Sequence, residues 1–277
     1  MTRSTDAPAI DADRLLTLLI VAAKAAGKIV LAGFGGDCAH ETKADASPVT
    51  EYDQAAEALI ALHLTADFPG IPMVAEEAIS QGHVPPDLGH RFFLVDPLDG
   101  TKEFVAGIPD FTVNIALIEK GIPVCGVVLA PAHGELFVGS ATGAFKSVLQ
   151  RDGSWSAMRP IHARRRPAAI IALASRSHRT MATDRYLEQF ALDAVIPMGS
   201  SLKYCRIAEG MADVYPCLGR TMEWDIAAAH AVLRSAGGDI CTLDGHAMAY
   251  GKRGQSDDAD FANSYFVATG RDVAPLS

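Results

Sequence analysis

The sequence lacks the short motifs of common zinc proteins, since it contains neither Cys-x-x-Cys nor His-Glu-x-x-His. It also lacks an even, closely spaced set of cysteines, because it has only Cys38, Cys125, Cys205, Cys217 and Cys241. These absences argue against a zinc ribbon and against a disulfide framework, and they favour a protein of a reducing compartment. No internal repeat or low-complexity segment is visible.

Surplus positive charge is absent as well. The 277 residues include 24 Lys and Arg against 33 Asp and Glu, which gives a net charge of -9. Broad binding to a nucleic acid polymer needs a basic face, so this class of partner is not expected. An acidic protein can instead concentrate divalent cations and meet small anionic substrates through them. Hydrophobic residues make up 49% of the chain, which is typical of a packed globular protein.

The N-terminus lacks the positive charge of a secretory signal. An apolar run over 15–23 follows a stretch with three Asp and two Arg, and the run is too short to span a bilayer. We therefore predict a helix packed on the core of a cytoplasmic protein without a transmembrane segment. Peripheral contact at the inner membrane stays open.

The first half of the chain is predicted to combine helices with an antiparallel sheet. Helices are expected over 11–32 and 50–68, and strands over 71–75 and 92–96. Between 111 and 149, four apolar runs follow one another with connections of only a few residues. Such short connections indicate antiparallel neighbours, because a parallel crossover needs about a dozen residues.

The second half is predicted to alternate strands and helices. Residues 151–167 are interpreted as a polar connection, and the basic run 164–166 within it as solvated. The elements expected after it are strands over 168–174, 194–198, 212–216, 239–243 and 264–269 and helices over 180–192, 201–209 and 224–236. This alternation favours layered α/β packing. It also suggests an N-terminal α+β half over 1–150, with most metal ligands, and a C-terminal α/β half over 151–277.

The densest chemical signal is the segment DPLDGT over 96–101. Asp96 and Asp99 follow an apolar strand, Pro97 fixes the turn between them, and Gly100 lets the backbone approach a ligand closely. Hard cations such as Mg²⁺ prefer oxygen ligands, and the Leu98 carbonyl between the two acids can add one. The local alternative is an ordinary turn, since Asp-Pro and Asp-Gly are common turn dipeptides.

Further acids stand at the ends of other predicted elements. Glu76 and Glu77 follow a strand, Asp225 opens a helix, and Asp53 lies three residues after Thr50. Each has a local alternative: two solvated acids, an acid favoured by the helix dipole, and a variant capping box. The metal-site hypothesis depends on these acids converging in space.

Four segments together resemble the signatures of the inositol monophosphatase superfamily. They are SPVTEYD (47–53), AEE (75–77), DPLDGT (96–101) and WDIAAAHAVLRSAGG (224–238), which occur in order and at suitable spacing. The resemblance covers about residues 11 to 270 and implies an α/β (α+β) fold, a layered α-β-α-β-α sandwich of the inositol monophosphatase and fructose-1,6-bisphosphatase type. Two departures are visible, since Tyr52 stands where the family often has Ala and Ala229 where it often has Gly.

A narrower resemblance is to the 3'(2'),5'-bisphosphate nucleotidase branch of this superfamily. It is carried by DPLDGTKEF (96–104), SRSH (175–178) and GSSLKYC (199–205). This branch implies hydrolysis of the 3'-phosphate of adenosine 3',5'-bisphosphate to AMP and phosphate by attack of an activated water. The basic residues in the last two segments are candidates for contacts to the nucleotide.

The family resemblance also implies roles for individual residues. Metal ligands would be Glu76, Asp96, the Leu98 carbonyl, Asp99 and Asp225. Catalytic residues would be Asp53, Thr101 and Glu77, with Thr101 and Asp53 orienting the attacking water. The substrate would be held by Gly100, Thr101, Lys102, Ser177, His178, Ser201 and Lys203.

The implied cofactor is Mg²⁺, two or three ions per site, with Mn²⁺ expected to substitute and Li⁺ to inhibit. The expected partner is a small phosphorylated nucleotide, met by a monomer or a homodimer. Alternative substrates are inositol 1-phosphate and fructose 1,6-bisphosphate. A non-catalytic metal or nucleotide sensor is a further alternative, although the presence of both Asp53 and Thr101 disfavours it.

Overall fold

The computed structural model describes residues 10–36, 40–42 as backbone, 48–177 and 179–274. Its helices are α1 (Ala12–Gly33), α2 (Glu51–Asp67), α3 (Glu76–Ser80), α4 (Thr101–Val105), α5 (Met181–Leu187), α6 (Leu202–Ala208) and α7 (Glu223–Ser235). The long helices α1, α2 and α7 begin and end close to the predicted positions. The short helix α4 was not predicted, because its five residues are too few to show a periodicity.

The strands of the N-terminal part are β1 (His40–Thr42), β2 (Pro48–Thr50), β3 (Met73–Ala75), β4 (Arg91–Asp99), β5 (Thr112–Glu119), β6 (Ile122–Ala130), β7 (Glu135–Ser140), β8 (Gly143–Val148) and β9 (Arg159–Pro160). Those of the C-terminal part are β10 (Ile170–Ser175), β11 (Leu192–Met198), β12 (Val214–Cys217), β13 (Asp239–Thr242) and β14 (Phe266–Thr269).

Asp11 caps the N-terminus of α1, because its side chain accepts hydrogen bonds from the backbone N–H groups of Asp13 and Arg14. Among the described residues, α1 is the one helix long and apolar enough to cross a membrane, judged by length and composition alone. Leu15, Leu19 and the small residues Ala22, Ala23 and Ala26 are nevertheless buried in the protein core. This burial agrees with the predicted core helix, and membrane contact stays a prediction.

The first sheet is built from strands in the order β3-β4-β5-β6-β7-β8-β9. The strands β3 and β4 are parallel, and every later neighbour is antiparallel, as predicted for 111–149. The predicted polar connection over 151–167 was wrong at one point, since it contains β9 at the sheet edge. Two residues paired with β8 leave no alternation that a sequence pattern can show.

The second sheet has the order β11-β10-β12-β14-β13. The strand β10 is parallel to β11 and β12, whereas β14 is antiparallel to β12 and β13. The alternation of strands and helices was therefore predicted correctly. The helix expected over 180–192 is shorter and ends at Leu187, and Phe190 then turns back into the core beside Tyr186.

Alternating side chains on the strands separate the molecule into layers. On β4, Phe93 and Val95 pack in one core with α1 and α2, whereas Phe92 and Leu94 lie in another with α6 and α7. On β12, Tyr215 joins that second core, while Val214 packs with residues of α5. The order is therefore helices, sheet, helices, sheet, helix, which confirms the predicted α-β-α-β-α sandwich. The division near residue 150 stays a prediction.

The basic run 164–166 was interpreted as solvated, which is wrong for Arg164. Its guanidinium donates to both carboxylate oxygens of Asp213, at 2.7 and 2.6 Å, and Asp213 is fully buried. Arg165 and Arg166 are exposed, as expected. The buried Asp213, which directly precedes β12, therefore anchors Arg164 near the start of the second half.

Candidate active site

The topology of two strands brings the first acids together. The strands β3 and β4 are parallel, with Ala75 beside Val95, so Glu76 and Asp96 follow at the same edge of the sheet. Asp225 arrives from the first turn of α7, which packs between the two sheets. Glu76, Asp96, Asp99 and Asp225 line one cleft together with the Leu98 backbone. The convergence on which the metal-site hypothesis depends is therefore present.

The segment from Asp96 to Asp99 is a bulge within β4 and not the end of the strand, which corrects the predicted turn. Asp96 lies opposite Asn114 and Asp99 lies opposite Thr112, so β4 has one extra residue between the two pairs. A bulge of this kind re-aims side chains while the strand continues. It lets both acids face the cleft, and the Leu98 carbonyl accepts a hydrogen bond from Thr101 Oγ1 at 3.1 Å.

Backbone N–H groups hold one oxygen of each aspartate. Asp96 Oδ1 accepts from the N–H of Leu98 at 3.0 Å. Asp99 Oδ2 accepts from the N–H of Ser201 at 2.5 Å. Asp225 Oδ2 accepts from the N–H of Met222 at 2.8 Å, which also closes the N-terminus of α7. The carboxyl groups are thus oriented by the main chain of three separate elements.

The electrostatics of the cluster favour a cation. Burial raises the pKa of Asp96 well above its usual value, and Glu76, Asp99 and Asp225 raise it further. Burial and Asp99 likewise raise the pKa of Asp225 well above its usual value. Burial also raises the pKa of Asp99, while nearby Lys203 opposes the shift. Asp99 and Asp225 keep part of their surface accessible at the cleft, but the surrounding protein still desolvates their carboxyl groups.

Carboxylate and carbonyl oxygens are the ligands that Mg²⁺ accepts, so the donor set fits this ion. Within the described residues, however, no three Asp, Glu, His or Cys side chains already stand in the arrangement of a closed metal site. Asp96 and Glu76 instead share a hydrogen bond. The fit is therefore one of donor type and position.

The pair predicted to orient water, Asp53 and Thr101, is in contact. Thr101 Oγ1 lies 3.3 Å from Asp53 Oδ1, while Asp53 Oδ2 accepts from both the N–H and the hydroxyl of Thr50 at 2.8 and 2.5 Å. Asp53 is thus a capping residue of α2 and a partner of Thr101 at once. The neighbouring Tyr52 turns its ring toward Gly33 of α1, so it leaves this contact intact.

Gly100 has a left-handed backbone, with φ of 94°, directly before α4. A Cβ atom there would stand 3.0 Å from the Asp110 carbonyl oxygen. Both facts require glycine at the point where the chain leaves the bulge. The predicted contact of its N–H with a phosphate stays a prediction.

Glu77 is buried and lies beside Ser80, whose hydroxyl donates to the Glu77 carbonyl at 2.8 Å. Sequence reasoning missed Glu57, which is placed on α2 four residues after Asp53. Its carboxylate accepts from the N–H groups of Glu77 and Ala78 at 2.7 and 2.8 Å and so fixes the start of α3. An acid one helical turn after Asp53 was the available signal.

The same cleft is lined by three of the predicted substrate contacts outside the Gly100–Thr101 segment, Lys102, Ser201 and Lys203. Lys203 is buried, its ammonium donates to the Ser200 carbonyl at 2.7 Å and lies 5.0 Å from the Tyr215 ring centroid. Burial lowers its pKa, and Asp99 opposes the shift. Lys102 is exposed at the cleft. Ser201 lines the cleft too, but its hydroxyl donates to the Asp225 carbonyl.

The predicted contact Ser177 is not among the residues that line the cleft. Ser177 is exposed, and its hydroxyl donates to Glu103 Oε1 at 2.5 Å; Glu103 is buried and lines the cleft. His178 lies outside the described residues. Glu103 was not singled out from the sequence, because an acid in the first turn of a helix has an ordinary explanation.

The sequence profile of the Inositol monophosphatase family matches residues 11–269, which is most of the chain. The chain belongs to the inositol monophosphatase family. Members of this family are phosphatases and are generally metal-dependent, so the predicted enzyme class and the coarse prediction of a metal requirement are confirmed.

Two curated relatives of this inositol monophosphatase family member cover most of its length. It is 37% identical over 227 residues, 82% of each chain, to the 3'(2'),5'-bisphosphate nucleotidase CysQ of Buchnera aphidicola subsp. Acyrthosiphon pisum. It is 35% identical over 246 residues, 85% of this chain and 90% of the relative, to the histidinol-phosphatase of Mycobacterium tuberculosis.

A solved structure supports the same placement within the family. CysQ from Bacteroides thetaiotaomicron, a bacterial member of the inositol monophosphatase family, has a TM-score of 0.72 and 31% sequence identity. The match covers 94% of this chain and 98% of that one. The resemblance predicted from four short segments, including its CysQ branch, is therefore confirmed.

Proposed function

We propose that the chain is a Mg²⁺-dependent nucleotidase that hydrolyses the 3'-phosphate of adenosine 3',5'-bisphosphate to AMP and phosphate. The observation that carries the proposal is one cleft lined both by Asp96, Asp99 and Asp225 and by the buried Lys203. Carboxylates can hold cations for the scissile phosphate, and a buried ammonium suits a second anionic group. The similarity to proteins named CysQ supports the choice of nucleotide.

The reaction is displacement at phosphorus, in which a water oxygen forms the new bond and the 3'-oxygen leaves. Mg²⁺, when held by Glu76, Asp96, Leu98, Asp99 and Asp225, supplies charge neutralisation and a more acidic water. Thr101 is held by Asp53 and orients the attacking water through its hydroxyl. Glu77, which is buried beside this site, is the candidate base that accepts the proton of the attacking water.

Substrate orientation is assigned to further residues of the proposed site. The N–H groups of Gly100 and Thr101 hold the scissile phosphate, and Lys102 and Lys203 neutralise the remaining negative charge. Ser177, His178 and Ser201 complete the set of proposed contacts to the nucleotide. Because Gly100, Thr101, Lys102, Ser201 and Lys203 line one cleft, removing the second phosphate of the substrate should weaken binding more than it slows hydrolysis.

The test is phosphate release by the purified full chain with Mg²⁺. The substrates are adenosine 3',5'-bisphosphate, inositol 1-phosphate, fructose 1,6-bisphosphate and histidinol phosphate, the last because a histidinol-phosphatase is 35% identical. We expect the highest kcat/KM with the bisphosphonucleotide. Faster turnover of any other compound would transfer the assignment to that substrate, and cation binding without any hydrolysis would favour the sensor alternative.

The cofactor proposal has its own controls in the same assay. We propose two or three Mg²⁺ per site, so chelation should abolish phosphate release and Mn²⁺ should restore it. Li⁺ should inhibit, and activity indifferent to both chelation and Li⁺ would contradict the proposed metal site. We also propose a cytoplasmic location and a monomeric or homodimeric state. Cell fractionation tests the location, and sedimentation tests the oligomeric state.

A further inference from the structure

Asn114 carries the one buried side-chain oxygen or nitrogen, among the described residues, that has no hydrogen-bond partner. The residue is 1% exposed, and the atom is its amide oxygen Oδ1. An unpaired buried amide oxygen costs free energy, so we expect a further group to bind this atom in the working protein.

The partners of the amide nitrogen fix which way the amide points. Asn114 Nδ2 lies 3.1 Å from Ser201 Oγ and 3.4 Å from Asp99 Oδ2. The Ser201 hydroxyl already donates its proton to the Asp225 carbonyl, and a carboxylate can only accept. A reversed amide would set Oδ1 against two acceptors, so the orientation that leaves Oδ1 unpaired is the favourable one.

The position of Asn114 sets its amide beside two of the proposed cation ligands, Asp96 and Asp99. Asn114 lies directly opposite Asp96 across the β4–β5 ladder, so both side chains project from the same face of the sheet. That is the face where Leu94 and Ala116 pack with α7. Within the described part of the chain no group donates to Oδ1, whereas a hydrated cation brings water molecules that can.

We propose that Asn114 Oδ1 belongs to the oxygen shell of the cation site and holds a water of the hydrated Mg²⁺. Mg²⁺ keeps several of its waters when bound to proteins, and a neutral amide oxygen can orient one without adding charge. Asn114 is then a positioning residue that sets cation affinity. The inference rests on the proposed function in one respect, that the carboxylates of the cleft bind Mg²⁺.

The experiment measures Mg²⁺ and Mn²⁺ binding to the full chain by titration calorimetry, which needs no substrate. Asn114→Leu keeps the approximate size of the side chain and removes both polar atoms, and it should weaken Mg²⁺ binding roughly ten- to hundredfold. Asn114→Asp restores oxygen but not the N–H donors, and it should bind Mg²⁺ within about threefold of wild type or more tightly.

Thr112→Val is the matched control. Thr112 stands on the same strand and also contacts Asp99 Oδ2, at 3.4 Å, but its hydroxyl has a partner there. We expect its Mg²⁺ affinity to change by less than about threefold. Melting curves in a chelator establish that each variant is folded, and if Asn114→Leu does not fold, Asn114→Ala, which also removes the oxygen, takes its place with the same expected loss of Mg²⁺ affinity.

Two results would overturn the inference. Equal affinity in wild type and Asn114→Leu would show that the oxygen does not serve the cation. Equally weak binding by Asn114→Leu and Asn114→Asp would show that only the donors to Ser201 and Asp99 matter. No cation uptake by wild type would overturn both this inference and the proposed function, whereas uptake without hydrolysis of any ester would overturn the proposed function alone.

Discussion

At the residue scale, Asp96 combines two effects that act in opposite directions on folding and on catalysis. It is 1% exposed and faces three other acids, so its charged form is disfavoured in the protein without a cation. The same placement, in a cleft with other acids, is the basis for proposing Asp96 as an oxygen donor to a divalent ion. Sites of this kind lower the stability of the protein in favour of its function, and stability and turnover can be measured separately.

Asp96→Asn should reduce turnover at least about a thousandfold, because it removes a charged donor from the cation site. The fold should survive, and in a chelator the melting temperature should be equal or higher, because a neutral amide relieves the repulsion among the acids. Phosphate release and calorimetric melting measure the two effects. Turnover like that of wild type with Mg²⁺ present would refute the assigned role of Asp96.

The residues that sequence reasoning could and could not find differ in a physical way. Asp96, Asp99 and Asp225 stand in dense or terminal positions of predicted elements, so their convergence could be predicted. Glu57 and Asn114 act through three-dimensional neighbours, a helix N-terminus and a facing strand, which no local pattern shows. Asn114 in a strand of apolar residues was visible only as an unexplained polar residue.

At the scale of elements, the fit of α7 against the first sheet depends on two glycines. A Cβ atom on Gly126 of β6 or Gly139 of β7 would lie 2.3 or 2.5 Å from a backbone carbonyl oxygen of α7. The backbones therefore touch directly, and this close approach sets how far the N-terminus of α7 reaches toward the cleft. Asp225 lies in the first turn of α7, so its position depends on how α7 packs against the sheet.

Gly139→Ala should lower the free energy of unfolding by about 1–3 kcal/mol, because α7 must move away from the sheet. Mg²⁺ affinity should fall in the same variant, since Asp225 moves with the helix. Gly70→Ala is the control, because a Cβ atom there meets nothing within 4 Å. Urea unfolding and calorimetry check both effects, and a stable variant with unchanged affinity would show that α7 does not need this contact.

The elements themselves were predictable where they are long and periodic, as in α1, α2 and β5 to β8. The failures have specific causes. The bulge from Asp96 to Asp99 is set by pairing with β5, and β9 exists only because β8 offers it an edge. Such features depend on partners distant in sequence, so propensity and periodicity cannot supply them.

At the scale of the whole molecule, the proposed halves 1–150 and 151–277 share one core between the sheets. Phe92 and Leu94 of β4 belong to the same apolar cluster as α6, α7 and Tyr215 of β12. A shared core couples the stability of both halves. The boundary that we propose near residue 150 therefore leaves β9 of the first sheet in the second half, and it does not separate independently folding units.

We expect one cooperative urea transition in a chelator. The chain has two tryptophans, of which Trp155 packs beside α1 and Trp224 lies in the core between the sheets. Trp155→Phe and Trp224→Phe each leave a single reporter, and the fluorescence midpoints of the two variants should coincide with their own circular-dichroism midpoints. Separated midpoints within one variant would show that the layers unfold independently.

Asp110 joins the two proposed halves by charge. It accepts hydrogen bonds from His133 at 3.1 Å, from Arg176 of the second half at 2.7 Å and from the N–H of Gly199 at 3.4 Å. These partners, the His133 hydrogen bond foremost, hold its pKa well below the usual value although burial opposes them. A carboxyl group with a lowered folded pKa contributes stability above its unfolded pKa of about 4 and loses that contribution as the pH falls below it.

Asp110→Asn should therefore lower the free energy of unfolding at pH 7 by roughly 1–2 kcal/mol, because Arg176 is partly exposed and solvent screens the pair. At about pH 3 the difference from wild type should shrink, since wild type is then losing the same contribution. Asp257→Asn, at an exposed position, should leave the pH dependence unchanged. Melting curves in a chelator at both pH values test this, and a deficit that is equal at the two pH values would mean that Asp110 acts through packing alone.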